Sequence, residues 1–120
     1  MSRKYQLSYD AINVKKDFSD SYVEARRYLL CVLGNTGYLK ISSYCESTLI
    51  IEYDQMQSEL FHYLKTNLAK YFHYSVCLVA ISESGVGFIN HSQNVHLNLR
   101  LKLELKNISC DNLKKEITNY

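Results

Sequence analysis

The chain has 120 residues, of which 47% are apolar, and a formal net charge of +2 at pH 7. This length predicts one domain that buries roughly 65% of the surface its unfolded chain would expose. The ordinary apolar content and the lack of low-complexity runs exclude a largely disordered chain. The near-neutral charge neither favours nor excludes nucleic acid as a partner, because a local basic patch matters more than the sum.

The start of the chain, MSRKYQLSYD, lacks the apolar stretch of a signal peptide. No apolar run approaches the ~20 residues that span a membrane. We therefore expect a cytoplasmic protein without a membrane partner. The four cysteines are Cys31, Cys45, Cys77 and Cys110. They form no C-x-x-C pair, so we favour free, buried thiols in a reducing compartment, with a disulfide or a zinc site as the alternative.

The first two-thirds of the chain alternates between strand and helix patterns. KYQLSYDAI has a period of two and predicts a strand. Ser21 and Glu24 have capping-box spacing and begin a predicted helix that ends near Gly34. YLKIS and STLIIEY flank SYCE and indicate a hairpin. A second helix is predicted over 55–72, where Met56, Leu60, Leu64 and Leu68 share one side.

SVCLVAIS, residues 75–82, is apolar on both faces and predicts a fourth strand. A glycine-containing loop over 83–94 follows it. In VHLNLRLKLEL, residues 95–105, every odd position is Val or Leu and every even position is polar, which predicts a fifth strand. A short helix over 110–118 is expected to end the chain.

The order β-α-β-β-α-β predicts a ferredoxin-like α+β fold, in which an antiparallel sheet carries two helices on one face. We expect a single domain over residues 1–120, with its core at about 4–82 and the extra strand over 95–105. Right-handed crossovers give the spatial order 4-1-3-2, so the fourth strand lies at an edge. That edge can recruit the extra strand from the same chain or from a second copy. The predicted homodimer interface consists of Val95, Leu97, Leu99, Leu101, Leu103 and Leu105.

Several motifs resemble a known family. YQLSYD, YVEARRYLLCVLG, CESTLIIEYD and the leucine-rich second helix resemble the family of the small ferredoxin-like CRISPR adaptation nuclease, including its stand-alone bacterial relatives. The resemblance covers roughly residues 4–82. It implies a homodimer in which a C-terminal strand pairs with the neighbouring subunit. It also implies that Asp10 of each subunit lies at the dimer interface and holds a divalent metal.

Asp10 is the candidate catalytic and metal-binding residue. Two facing carboxylates suit Mg²⁺, which prefers oxygen ligands and can activate water for attack on a phosphodiester. The alternative role is a solvated carboxylate at a strand end. A nucleic-acid-binding surface is predicted for Lys15, Lys16, Arg26 and Arg27. Such cations also commonly form a solvated helix face.

These observations predict a small dimeric protein of the CRISPR adaptation nuclease group that acts through assembly or nucleic-acid contact. The loop after Asp10 carries Lys15 and Lys16, whereas the nuclease branch has a further acidic residue there, so catalysis stays an open alternative. One alternative is a non-catalytic protein-interaction or regulatory protein, borne by a phage or mobile element. The other is a metal-dependent nuclease that uses Asp10 and Mg²⁺.

Overall fold

The computed structural model describes residues 2–80, 95–113 and 115–118. The elements within these residues are β1 (Arg3–Ala11), α1 (Val14–Asp17), α2 (Tyr22–Gly34), β2 (Lys40–Cys45), β3 (Thr48–Tyr53), α3 (Gln57–Leu68), β4 (Phe72–Ala80) and α4 (Val95–Asn107). None of these helices is long and apolar enough to cross a membrane. The predicted loop over 83–94 lies outside the described residues.

The four strands form an antiparallel sheet in the order β2-β3-β1-β4. This confirms the predicted order 4-1-3-2 and the ferredoxin-like α+β fold. On β1, Tyr5 lies opposite Ile51 of β3 and Leu78 of β4. Both β2 and β4 are therefore edge strands.

The alternation along β1 gives the sheet its two faces. Tyr5 and Leu7 are fully buried and pack in one core with α2 and α3. As predicted, Ser21 begins α2, since its Oγ accepts a hydrogen bond from the Glu24 amide at 3.2 Å. The leucines Leu60, Leu64 and Leu68 are buried on α3. Gln6, Ser8 and Asp10 lie on the opposite face, as strand geometry requires.

The prediction of a strand over 95–105 is wrong, because this segment lies within the helix α4. In a helix, residues two apart point about 200° apart, and residues four apart nearly coincide. Strict alternation therefore makes two apolar stripes on opposite sides of one helix. Leu97, Leu101 and Leu105 form the inward stripe, in which Leu101 is only 1% exposed. Leu, Lys, Arg and Glu also favour helix strongly.

Two further predictions for the C-terminal region are wrong. The described residues of 110–118 contain no helix. Cys31 of α2 and Cys110 form a disulfide, with their Cα atoms 5.8 Å apart, whereas free thiols were predicted. Cys45 and Cys77 are free, as predicted, but both are exposed, whereas buried thiols were predicted. The 79-residue separation of the bonded cysteines explains why no local spacing pattern revealed the pair.

Candidate functional site

A cleft of about 360 Å³ lies where the end of β1 meets α2, the β2–β3 turn and α4. Its walls combine aromatic and small apolar side chains with charged ones. The lining residues are Tyr9, Asp10, Ala11, Tyr22, Ala25, Arg26, Leu29, Glu46, Ser47, Phe72, Arg100 and Glu104. The sequence prediction named two of these, Asp10 and Arg26. Pockets that mix apolar walls with a few convergent polar groups are typical binding sites.

A network of paired charges crosses the cleft. Arg26 of α2 binds both carboxylate oxygens of Glu104 on α4, with Nη2 at 2.9 Å from Oε1. Its Nη1 also donates to the Tyr9 hydroxyl at 3.1 Å, and that hydroxyl donates to the Glu46 carbonyl oxygen at 3.2 Å. The hydrogen bonds that Arg26 donates to the Glu104 carboxylate raise the pKa of Arg26 above its usual range. The network therefore joins α2, α4 and the β2–β3 turn through charge-assisted bonds.

Arg100 extends this network to the rim of the cleft. Its Nη2 lies 3.1 Å from Oε2 of Glu46, and its Nε lies 3.5 Å from Oε1 of Glu104. Cations and carboxylates in the network thus neutralise one another. The described lining contains neither histidine nor cysteine, so it holds no Ser–His or Cys–His pair for nucleophilic catalysis.

Asp10 is exposed at the end of β1, opposite His73 of β4. Strand alternation directs it to the sheet face opposite Tyr9. Among the described residues, no group of three or more His, Cys, Asp or Glu side chains could hold a metal ion. The carboxylate of Glu46 in the same cleft is already paired with Arg100. The surroundings of Asp10 in one copy of the chain therefore do not fit a Mg²⁺ site.

The four cations predicted to bind nucleic acid have different environments. Lys15 and Lys16 are exposed on α1. Arg26 and Arg27 are half-buried on α2 and occupied within the molecule. Arg27 binds Glu24 and donates to the carbonyl oxygens of Ser109, Asp111 and Asn112. A phosphate contact on this surface would therefore depend chiefly on Lys15 and Lys16.

The outer edge of β4 is the second candidate site. Within the described residues, the backbone of β4 hydrogen-bonds only to β1. The strand is nine residues long and reads FHYSVCLVA, without Lys, Arg, Asp, Glu or Pro. Natural edge strands usually carry such residues, because these block pairing with another chain. The edge of β4 is therefore competent to pair with a further strand.

The outward stripe of α4 is the third exposed feature. Its members, Val95, Leu99 and Leu103, are each more than half exposed. Lys102 and Lys106 flank the stripe by helical spacing. The residues of the predicted interface are thus divided between the two sides of α4. The prediction that Leu101 contacts a second copy is wrong, because this side chain is buried within its own chain. Val95, Leu99 and Leu103 remain predicted contact residues.

Sequence reasoning missed the partners that α4 supplies to the cleft and to β2. Glu104 binds Arg26 across 78 positions, and Asn98 accepts a hydrogen bond from the Ser43 amide across 55 positions. Both residues were expected to face water on a strand. Leu97, Leu101 and Leu105 are spaced four apart, which fits one face of a helix. The same spacing also fits one face of a strand, so it could not distinguish the two.

Comparison with protein-family models, with curated proteins and with solved structures finds no match for this chain. The resemblance to the CRISPR adaptation nuclease group therefore stays a prediction.

Proposed function

We propose that this protein is a small non-catalytic assembly protein of the CRISPR adaptation nuclease group, and that it forms a homodimer through the outer edge of β4. The observation that carries the proposal is the nine-residue edge of β4, which has no charged residue and no proline. Leu78 on this strand is 38% exposed, so pairing would also cover apolar surface. Two copies would then share one continuous sheet of eight strands.

A two-fold axis pairs identical strands antiparallel, so one surface serves both copies. If the axis passes beside Val76, Ser75 lies opposite the partner's Cys77. These side chains are small and uncharged, and both are exposed in the single copy. The strand therefore brings no like charges together when it pairs with itself.

The outward stripe of α4 is less suited to self-pairing. In an antiparallel pair of helices about a two-fold axis, each flank meets the same flank of the other helix. Lys102 and Lys106 lie on the same flank of the stripe, so self-pairing would bring the cations of both copies to the same side of the interface, which is unfavourable. The edge of β4 carries no such repulsion, which is why we assign the dimer to the strand rather than to Val95, Leu99 and Leu103.

The nuclease alternative requires two Asp10 carboxylates around one Mg²⁺. In a dimer through β4, the strands between the two aspartates are β4 and the partner's β4. Three strand spacings then separate the backbones of the two Asp10 residues by about 14 Å, and two short aspartate side chains do not close that distance. Metal–oxygen distances of about 2.1 Å cannot bridge that gap. The edge dimer and a shared Asp10 metal site are therefore mutually exclusive.

Nucleic-acid contact is the second candidate, supported by the exposure of Lys15 and Lys16 on α1. Its signature is binding that weakens steeply with salt, since phosphate contacts release counterions. We expect Lys15→Ala and Lys16→Ala to weaken such binding, and Arg27→Ala to change it less. Measurement of the affinity for a short duplex at two salt concentrations distinguishes this candidate from protein–protein assembly alone.

The homodimer is tested with two lysine variants in one lateral row of the sheet. This row runs Ser42, Ile50, Gln6, Cys77, from one edge to the other. We expect a mass near twice 14.0 kDa for the wild type by sedimentation equilibrium. Cys77→Lys on β4 should weaken the dimer at least tenfold, whereas Ser42→Lys on β2 should leave it intact.

A Cys77→Ser variant controls for loss of the thiol and should remain dimeric. A wild-type monomer at high micromolar concentration contradicts the proposal. Equal weakening by Cys77→Lys and Ser42→Lys contradicts the assignment to β4.

The cytoplasmic location predicted from the sequence stands as part of this proposal. It is in tension with the Cys31–Cys110 disulfide, because disulfides persist mainly in oxidising compartments. Thiol labelling in rapidly quenched cells would report which form is present where the protein is made.

A further inference from the structure

The chain after α4 forms a strap across the outside of the helices. We define the strap as residues 109–113 and 115–118, which contain no helix or strand. The disulfide from Cys110 to Cys31 fixes it to α2. Its far end reaches α3, where Thr118 exchanges two hydrogen bonds with the side chain of Asn67, at 2.7 and 2.9 Å.

Non-covalent contacts of the strap are few and mostly exposed. Arg27 donates to the carbonyl oxygens of Ser109 and Asp111 at 2.7 and 3.1 Å, in exposed positions. The Nζ of Lys115 lies 5.2 Å from the centre of the Tyr71 ring. Ile117 is the strap's apolar contact with the core. Such contacts must offset the conformational entropy of ordering the whole strap, which rises with every residue fixed.

We propose that the Cys31–Cys110 disulfide is a redox-controlled clasp, which holds the strap on α2 and α3 when oxidised and releases it when reduced. The covalent bond fixes one end of the strap beside Arg27, so the weak contacts form with a smaller loss of chain entropy than in an untethered segment. Without the bond, the described contacts that remain are the packing of Ile117, the Lys115–Tyr71 contact, exposed hydrogen bonds from Arg27 and two half-buried ones at Asn67. These contacts are too few to offset the entropy of ordering the segment.

The two cysteines differ in solvent exposure, and this difference determines which sulfur a reductant attacks first. Cys110 is exposed, whereas Cys31 is only 2% exposed. A thiolate of a dithiol reductant attacks the Cys110 sulfur, breaks the S–S bond and releases the Cys31 thiolate, which takes up a proton. The second thiol of the reductant then displaces Cys110 from the mixed disulfide. Two cysteine thiols form, and the dithiol becomes a disulfide.

Release of the strap changes the surface of α2. Arg27 loses its acceptors on Ser109, Asp111 and Asn112 and keeps Glu24. Asn67 loses its exchange with Thr118 but keeps its bond to the Tyr63 carbonyl oxygen inside α3. The clasp thus alters one face of the helical layer and leaves the core contacts of α2 and α3 unchanged.

The test uses full-length protein with Cys45→Ser and Cys77→Ser, so that the only thiols are those of the clasp. Hydrogen exchange is measured with and without dithiothreitol, and again after reoxidation. The Thr118 amide is the diagnostic probe, because it donates to the Asn67 side chain at 2.7 Å. We expect reduction to speed exchange of this amide at least tenfold, while exchange in α2, α3 and β1 stays unchanged. Reoxidation should restore the slow exchange.

Two results would overturn the clasp. The first is unchanged exchange of the Thr118 amide after complete reduction, confirmed by two reactive thiols per chain. The second is loss of protection throughout β1 and α3 on reduction, which would make the disulfide a staple of the whole fold. Cys110→Ser provides a check without reductant, since its Thr118 amide should exchange as fast as that of the reduced protein. None of these readouts depends on the oligomeric state.

Discussion

The two edges of the sheet are treated differently by the chain. At β2, Asn98 of α4 accepts a hydrogen bond from the Ser43 amide at 2.7 Å, and Leu101 is buried beside it in the core. At β4, the described residues offer no such cover. Covering an edge with a helix is an established way to prevent unwanted pairing, and the chain uses it at β2.

The C-terminal segment covers one edge of the sheet. It does so as a helix and not as a strand, and at the edge of β2 and not at the predicted edge of β4. The sequence predicts residues 95–105 as a fifth strand that pairs with the fourth strand. In the structure, α4 contacts β2, and its bonds to Glu46 and Arg26 join it to the hairpin turn and to α2. Within the described residues, the outer edge of β4 is left without such cover.

The largest effect should come from removing the anchor of α4. Leu101→Ala deletes a side chain that is 1% exposed, so we expect unfolding free energy to fall by about 2–5 kcal/mol. Leu99→Ala, on the outward stripe, should cost less than about 0.5 kcal/mol. Chemical denaturation measures both. Equal costs for the two variants would show that α4 does not pack on the edge of β2 through its inward stripe.

A smaller effect is expected for the ion pair that ties α4 to α2. Arg26→Met should lower the unfolding free energy by about 1–2 kcal/mol, less than for a fully buried pair because both partners are partly exposed. Arg100→Met provides the control, since its pair with Glu46 lies on the rim and should contribute under about 0.5 kcal/mol. If Arg100→Met lowered the unfolding free energy more than Arg26→Met does, our ranking of the two ion pairs would be wrong.

The hydrogen bond at the β2 edge should contribute less again. Asn98→Ala leaves the Ser43 amide without its acceptor, and we expect a loss of about 1 kcal/mol. Hydrogen exchange at the Ser43 amide should accelerate as well. Asn107→Ala is the matched control, because the Asn107 side chain, as far as the described residues go, donates only to the Leu103 carbonyl oxygen within α4. An unchanged exchange rate at Ser43 would contradict edge protection by Asn98.

The buried tyrosines of the core should make the free energy of unfolding depend on pH under alkaline conditions but not near neutrality. Burial raises the pKa of Tyr63 to about 12, from an ordinary value of 10. Burial also raises the pKa of Tyr28. A raised folded-state pKa means that the neutral forms stabilise the fold fully below pH 10 and that this contribution is lost as pH rises towards 12.

Denaturation at several pH values from 8 to 12 measures this loss, since the cited pKa values place it between about 10 and 12. Tyr63→Phe should reduce the slope of stability against pH, while its lost bond to the Val32 carbonyl oxygen lowers stability at every pH. A wild-type stability that stays flat up to pH 12 would contradict the role of burial.

Much of the sheet could be predicted from sequence because its signals are local. Tyr5 and Leu7 alternate with Gln6 and Ser8, and Ser21 precedes Glu24 at capping distance. The order of strands then follows from the handedness of the crossovers. The edge position of β4 was predicted correctly on these grounds alone.

The C-terminal region could not be predicted in the same way because its decisive contacts are distant in sequence. A strict alternation fits both a strand and a helix with two apolar stripes, and only packing of Leu101 against the core selects the helix. Arg26 and Glu104 are 78 positions apart, and the bonded cysteines are 79 apart. Asp10 was found from its motif, but its neighbours in the cleft come from four other elements.

The central claim is that the edge of β4 is closed by a second copy while the edge of β2 is closed by α4. Amide hydrogen exchange in β2 and β4, measured at low and high protein concentration, tests it most directly. We predict that protection of residues 72–80 rises with concentration, while protection of residues 40–45 stays constant. Exchange in β4 that is independent of concentration would contradict the claim.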